Sequence, residues 1–170
     1  MNELDWLNGL GPETAEAELL KCCGSKAWVS RMVKEIPFAD PASLLNKADL
    51  VWWSLDPEDW LQAFRSHPKI GEKKAEQAQS TAAKAWSEQE QSGTAGSTLD
   101  TMSALAAGNQ AYVERFGYIF IVCATGKSAE EMLAILQSRL DNAPLEELRI
   151  AAEEQSKITK LRLRKLIGTT

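Results

Sequence analysis

Asp40-Pro41-Ala-Ser-Leu44-Leu45-Asn-Lys-Ala48-Asp-Leu-Val51-Trp52-Trp53 is a full helix instruction in one short stretch. An aspartate before the first turn can accept from amides that have no partner inside the helix. Proline at the first helical position gives up a donor that would have been idle. Leu44, Leu45, Ala48, Val51 and Trp52 then recur at helical spacing. The same grammar repeats outward in both directions: Pro12-Glu13 after Gly11, Ser25 after Gly24, Asp56-Pro57, and the capping box Ser128-Ala-Glu-Glu131. These signals predict helices near 12–23, 26–35, 41–53, 57–65, 69–85, 99–115, 128–140 and 144–167, with Gly24 closing the first and Leu133, Leu136 and Leu140 on one face of the seventh. Two stretches depart from the pattern. Residues 86–98 are polar and rich in glycine and serine, as in a loop or a short loose-ended helix. Tyr118-Ile-Phe-Ile-Val-Cys-Ala124 is β-branched, aromatic and continuous, a short run that suits an extended or irregular buried segment between two helices as well as it suits a helix. The expected fold is all-α: one compact domain over 1–170, a bundle of about eight helices with a short extended segment near 118–124.

Composition supports helix and narrows the function. Alanine (23) and leucine (20) make up a quarter of the 170 residues, against 16 glycines and prolines together. A chain of this length buries enough surface to fold without a disulfide or metal staple. No apolar run approaches the ~20 residues of a membrane span. The start lacks a basic, then apolar, secretory leader, and the end carries no peroxisomal address, so a cytoplasmic protein is expected. Cys22, Cys23 and Cys123 form no C-x-x-C pair and are expected as reduced packing residues, with no disulfide and no metal site. A net charge of −5 argues against nucleic acid. The single histidine, His67, excludes a histidine-rich metal centre and must carry any imidazole chemistry.

Individual motifs each have a plain and a functional reading. Gly126-Lys127-Ser128 imitates the tail of a phosphate loop, but position 121 is isoleucine where that loop needs glycine, so Ser128 reads as a helix cap. Gly9 and Gly11 lack the third glycine and the strand of a dinucleotide site. Trp52, Trp53 and Trp60 read as core. His67 sits in Phe64-Arg-Ser-His-Pro-Lys-Ile-Gly71, where Pro68 blocks the helix and leaves the histidine on a non-helical elbow. It can be a histidine bonded to a nearby carbonyl or a functional group at an element end. In the last helix Arg162 falls on the apolar stripe of Ile158, Leu161 and Leu166, while Lys160 and Arg164 point away. A buried guanidinium needs a partner, either a carboxylate of the protein or an anionic ligand. The remaining positive charge between Lys157 and Lys165 complements the helix dipole.

Read together, Leu20-Lys-Cys-Cys-Gly-Ser25, Asp59-Trp-Leu-Gln-Ala-Phe64, Ser66-His-Pro-Lys-Ile-Gly71, Ser87-Glu-Gln-Glu-Gln91, Tyr112-Val-Glu-Arg-Phe-Gly117, Phe120-Ile-Val-Cys-Ala124 and Ile158-Thr-Lys-Leu-Arg-Leu163 resemble, in order, the 2-oxo-4-hydroxy-4-carboxy-5-ureidoimidazoline (OHCU) decarboxylase family. The resemblance implies an all-helical enzyme of urate breakdown that converts OHCU to (S)-allantoin and carbon dioxide without a cofactor. It implies His67 as the catalytic acid, with Glu90 and Arg162 as companions. Pro68, Ser87 and Gln91 would line the pocket, with the backbone of Phe120, Ile121, Val122, Cys123 and Ala124 binding the polar groups of ring and ureido. The implied partner is a small anionic ureidoimidazoline, met by a monomer or homodimer. These residue types suit that chemistry. Arginine offers a permanent planar fork to a carboxylate, and imidazole can hold or give a proton near neutrality. With a net charge of −5, the positive potential for an anionic substrate has to be local, at Arg162. Two other readings stay open on the residues alone: a non-catalytic helical interaction domain, and a decarboxylase or lyase for another ureido acid.

Overall fold

Side-chain caps open three of the helices at positions the sequence marks, Ser25, Asp40 and Ser128. The structure, a computed structural model, describes residues 2–68, 86, 90 and 98–169. These residues contain no strand, and eight of their helices have defined bounds: α1 (Glu3–Asn8), α2 (Pro12–Leu20), α3 (Lys26–Val33), α4 (Pro41–Trp53), α5 (Pro57–Arg65), α6 (Leu99–Phe116), α7 (Ala129–Arg139) and α8 (Pro144–Leu166). Asp40 accepts from the Ser43 amide at 2.7 Å and Ser25 from the Trp28 amide at 3.3 Å. Ser128 accepts from the Glu131 amide at 3.1 Å while Glu131 returns to the Ser128 amide, closing the expected capping box. The all-helical expectation holds. The helix expected over 69–85 lies outside the described residues. Trp86 and Glu90, one turn apart, are both helical.

Four local readings change. α1 has no counterpart in the sequence reading, because six residues are too few for an apolar period to show, yet Asn2 and Asp5 form a capping box that starts it. α2 ends at Leu20, so Cys22 and Cys23 lie in the turn beyond it, and Gly24 is not a left-handed cap. The buried face of α7 is Ala129, Met132, Leu136 and Arg139, so Leu133 and Leu140 sit at its half-buried edges. In α8, Leu161 and Leu166 are only half-buried, and Lys160 is not simply solvated but pairs with Asp49 at 3.1 Å.

The chain divides into two compact units, Met1–Ala63 with Ser156–Thr170, and Phe64–Gln155. In the first, α2 packs on α3 and α3 on α4. Trp28 is fully buried and donates its indole N–H to the Ala48 carbonyl at 3.2 Å, which satisfies the one polar atom of a large apolar side chain. Asn8 exchanges two hydrogen bonds with the backbone of Phe38, at 2.8 and 2.9 Å, tying the end of α1 to the loop before α4. Trp52 is buried as expected of a core residue, whereas Trp53 is 42% exposed.

In the second unit α6 packs on α7. The approach is close at Gly108, where a Cβ would stand 2.5 Å from Leu136 Cδ2. Gly117 ends α6 in the left-handed region, at φ 85°, with its amide bonded to the Val113 carbonyl. Leu105, Tyr112, Met132 and Leu136 form the core with Phe120, Val122 and Ala124. Residues 119–124 have no regular structure, and Phe120 through Ala124 are all buried, as the sequence reading anticipated. No helix among the described residues is long and apolar enough to cross a membrane.

Candidate active site

Pro68 decides where His67 stands. α5 stops at Arg65, the His67 amide bonds to the Phe64 carbonyl at 3.2 Å, and the imidazole leaves the chain on a turn instead of a helix face. Pro68 is buried and His67 half-buried. The amide oxygen of Gln155, on α8, lies 2.6 Å from His67 Nε2. That bond fixes the orientation of the imidazole ring. Gln155 is fully buried, so the bond is shielded from competing water.

The irregular run 120–124 belongs to the same unit. Side chains hold its backbone at two points: Arg139 Nη1 donates to the Ile121 carbonyl at 2.7 Å, and the Cys123 amide donates to Glu154 at 3.1 Å. Lys127 turns back to the Cys123 carbonyl at 2.7 Å, and Gly126 supplies the left-handed turn at φ 79°. The Gly126-Lys127-Ser128 motif is thereby accounted for as turn, brace and helix cap. Glu90, only 9% exposed, and Glu154 both act on the Cys123 thiol. Burial is the main cause that pushes that thiol up, Lys127 opposes it, and the two carboxylates reinforce it. Glu154 is thus in direct contact with residue 123, and the charge of the buried Glu90 reaches the same thiol.

Behind the run lies a buried ionic network. Arg139 is 5% exposed, and its Nε and Nη2 bond Glu147, which is fully buried. Tyr112 donates its hydroxyl to Glu147, Asn142 donates to it at 3.0 Å, and the guanidinium lies 4.6 Å from the centre of the Phe120 ring. Burial works against the Arg139 charge, but Glu147 and Tyr112 outweigh it and hold the guanidinium pKa above its ordinary value. Burial and the bond to Glu147 push the Tyr112 phenol up.

Arg162 belongs to the first unit. It is 3% exposed, which bears out the inward placement read from the helical stripe. Its charge pulls on Cys22 and Cys23, yet burial dominates: Cys23 is pushed up to about 11, eased by hydrogen bonds with Ser25 and Thr159, and Cys22 further still. All three cysteines are free and buried, so they are inert packing residues as expected. Ser87 and Gln91 lie outside the described residues. Gln155, Glu154 and Arg139 were not singled out in the sequence. The signal for Gln155 was present: it precedes Arg162 by seven residues and so falls on the same stripe that marks Arg162 as inward. Arg139 carried no such signal, because a lone arginine in the last turn of a helix ordinarily faces solvent.

The OHCU decarboxylase family pattern matches residues 8–164 of this chain. Uric acid degradation bifunctional protein TTL of Arabidopsis thaliana is 36% identical over 156 residues, which are 92% of this chain and 48% of that protein. The 2-oxo-4-hydroxy-4-carboxy-5-ureidoimidazoline decarboxylase of Amia calva is 46% identical over 59 residues, 35% of this chain and 34% of that one. The chain thus spans about half the length of the first relative and about a third of the second. A crystal structure of OHCU decarboxylase in the presence of (S)-allantoin superposes with a TM-score of 0.77 at 36% identity, covering 89% of this chain and 97% of that one. With the all-helical fold, the histidine elbow and a match over nearly the whole length, the chain belongs to the OHCU decarboxylase family.

Proposed function

We propose that this protein decarboxylates OHCU to (S)-allantoin and carbon dioxide in urate breakdown, as a cytoplasmic carboxy-lyase working without a cofactor. The observation that carries this reading is the family match over residues 8–164, which spans both compact units and supports a single catalytic domain. The half-buried His67, held at Nε2 by Gln155, suits a proton carrier. The partner is the small anionic ureidoimidazoline itself, with the enzyme a monomer or homodimer.

We assign the catalytic roles to His67, Glu90 and Arg162, with Pro68, Ser87, Gln91 and the backbone of residues 120–124 as substrate contacts. The carbon–carbon bond to the carboxylate breaks, and its electron pair moves toward the ring C=N next to it. The substrate therefore carries its own electron sink. A proton then reaches the carbon that bears the ureido group, a second reaches the ring nitrogen that received the electron pair, and the neighbouring hydroxyl gives one up as it becomes the ring carbonyl, so one proton is taken up for each carbon dioxide released. His67 delivers the first of these from one face, which sets the S configuration. Arg162 balances the carboxylate charge, and Glu90 holds the donor edge of ring or ureido.

Freshly generated OHCU tests the reading. Polarimetry or chiral chromatography should show (S)-allantoin in excess, formed faster than by spontaneous decay. Racemic product at the uncatalysed rate would overturn it.

A further inference from the structure

The run 120–124 is buried backbone with no strand beside it among the described residues. Among the described residues, the N–H and C=O of Val122 meet no partner, although Val122 is only 6% exposed. Buried backbone groups in that condition are rare and costly unless something else satisfies them. The two peptide planes that flank Val122 are each gripped from behind. Arg139 holds the Ile121 carbonyl at 2.7 Å, and that carbonyl shares its plane with the Val122 amide. Glu154 holds the Cys123 amide at 3.1 Å, and that amide shares its plane with the Val122 carbonyl. Across a trans peptide, C=O and N–H point in opposite directions. Gripping one end of each plane therefore aims the other end away from the grip. The result is one donor and one acceptor on a single residue, both set by side chains behind them, which matches the paired N–H and C=O of a ureido group or cyclic amide.

Arg139 is the better built of the two grips. Its guanidinium bonds Glu147 through Nε and Nη2, leaving Nη1 for Ile121, and it lies over the Phe120 ring. Glu147 is itself fixed by Tyr112 and Asn142. A buried ion pair often adds little to stability compared with apolar packing. Direction is what this one supplies: the planar fork uses one edge on a carboxylate and another donor on a backbone carbonyl, a geometry that lysine cannot copy.

We propose that Arg139, anchored by Glu147, is a positioning residue that orients the Ile121–Val122 peptide so that Val122 reads the amide edge of the substrate. This rests on the decarboxylase reading above.

The test compares the wild type with Arg139→Lys, which keeps the charge and loses the fork. Leu44→Ala in the other unit serves as a control that is destabilised without touching this backbone. All three are assayed well below their melting temperatures, with enough enzyme that spontaneous decay is negligible. Arg139→Lys should raise KM for OHCU and Kd for (S)-allantoin by roughly 10- to 100-fold, with a smaller change in kcat, and should lower the enantiomeric excess of the product. Leu44→Ala should keep wild-type KM and enantiomeric excess. If folded Arg139→Lys keeps both, the positioning role is overturned while the decarboxylase reading stands. If Leu44→Ala shifts them equally, the effect is one of stability and the positioning role is likewise overturned. If the wild type makes no (S)-allantoin, the underlying reading fails first.

Discussion

At the scale of single residues, one hydrogen bond and one buried charge matter most. His67 is held through Nε2 by a glutamine that water does not reach. His67→Ala should leave the circular dichroism and melting temperature nearly unchanged, because the ring is half-buried on a turn, and should lower turnover by at least ~100-fold, the lower bound for losing a general acid. Near-normal allantoin production by that variant would remove His67 from the mechanism. Gln155→Leu keeps the volume and deletes the acceptor. It should lower kcat by roughly 2- to 10-fold, which corresponds to about 0.5–1.5 kcal/mol for one neutral hydrogen bond. Arg162→Ala should weaken binding of an anionic substrate analogue, as read by titration calorimetry. Unchanged affinity would assign that guanidinium a purely internal role. The inward position of Arg162 was legible in the sequence because helical geometry leaves only one face for residue 162 once Ile158 is placed on the stripe. The partner of His67 was not, since Gln155 is 88 positions away and chain proximity carries no information over that distance.

At the scale of elements, caps and turns were the readable part. Asp40, Ser25 and Ser128 were marked as starts, and each accepts the amide its position calls for. Ser128→Ala should cost about 1 kcal/mol in urea unfolding, because it removes the cap of α7 and half of a capping box. A loss well below that would mean that packing alone holds the start of this helix. Helix ends and faces were less legible. The sequence pattern favoured Leu133 and Leu140 for the buried side of α7, whereas Arg139 takes a core position instead. A guanidinium enters a core only when acceptors from elsewhere are waiting, here Glu147 of α8 and the carbonyl of Ile121. No periodicity within α7 could report that. The six-residue α1 escaped for a simpler reason, being shorter than two turns.

At the scale of the molecule, the second unit is built around an ionic centre as well as an apolar one. Arg139→Met should destabilise the protein by about 3–5 kcal/mol in denaturant unfolding, because it strands Glu147 as a buried unpaired carboxylate. A change under about 1 kcal/mol would show that water reaches Glu147 and that the network is not a core element. Composition and pattern by themselves determined the all-helical class, most helix starts, the buried irregular run near 120, the packing role of the cysteines and the inward arginine. They could do so because caps, helical period and proline act within a few residues of one another. Only the tertiary structure decided that Gln155 holds His67, that Glu154 and Arg139 grip the backbone on either side of Val122, and that the charge of Glu90 reaches Cys123. Those pairings join positions far apart in the chain, and they exist only because folding removes the water that each polar group would otherwise have chosen.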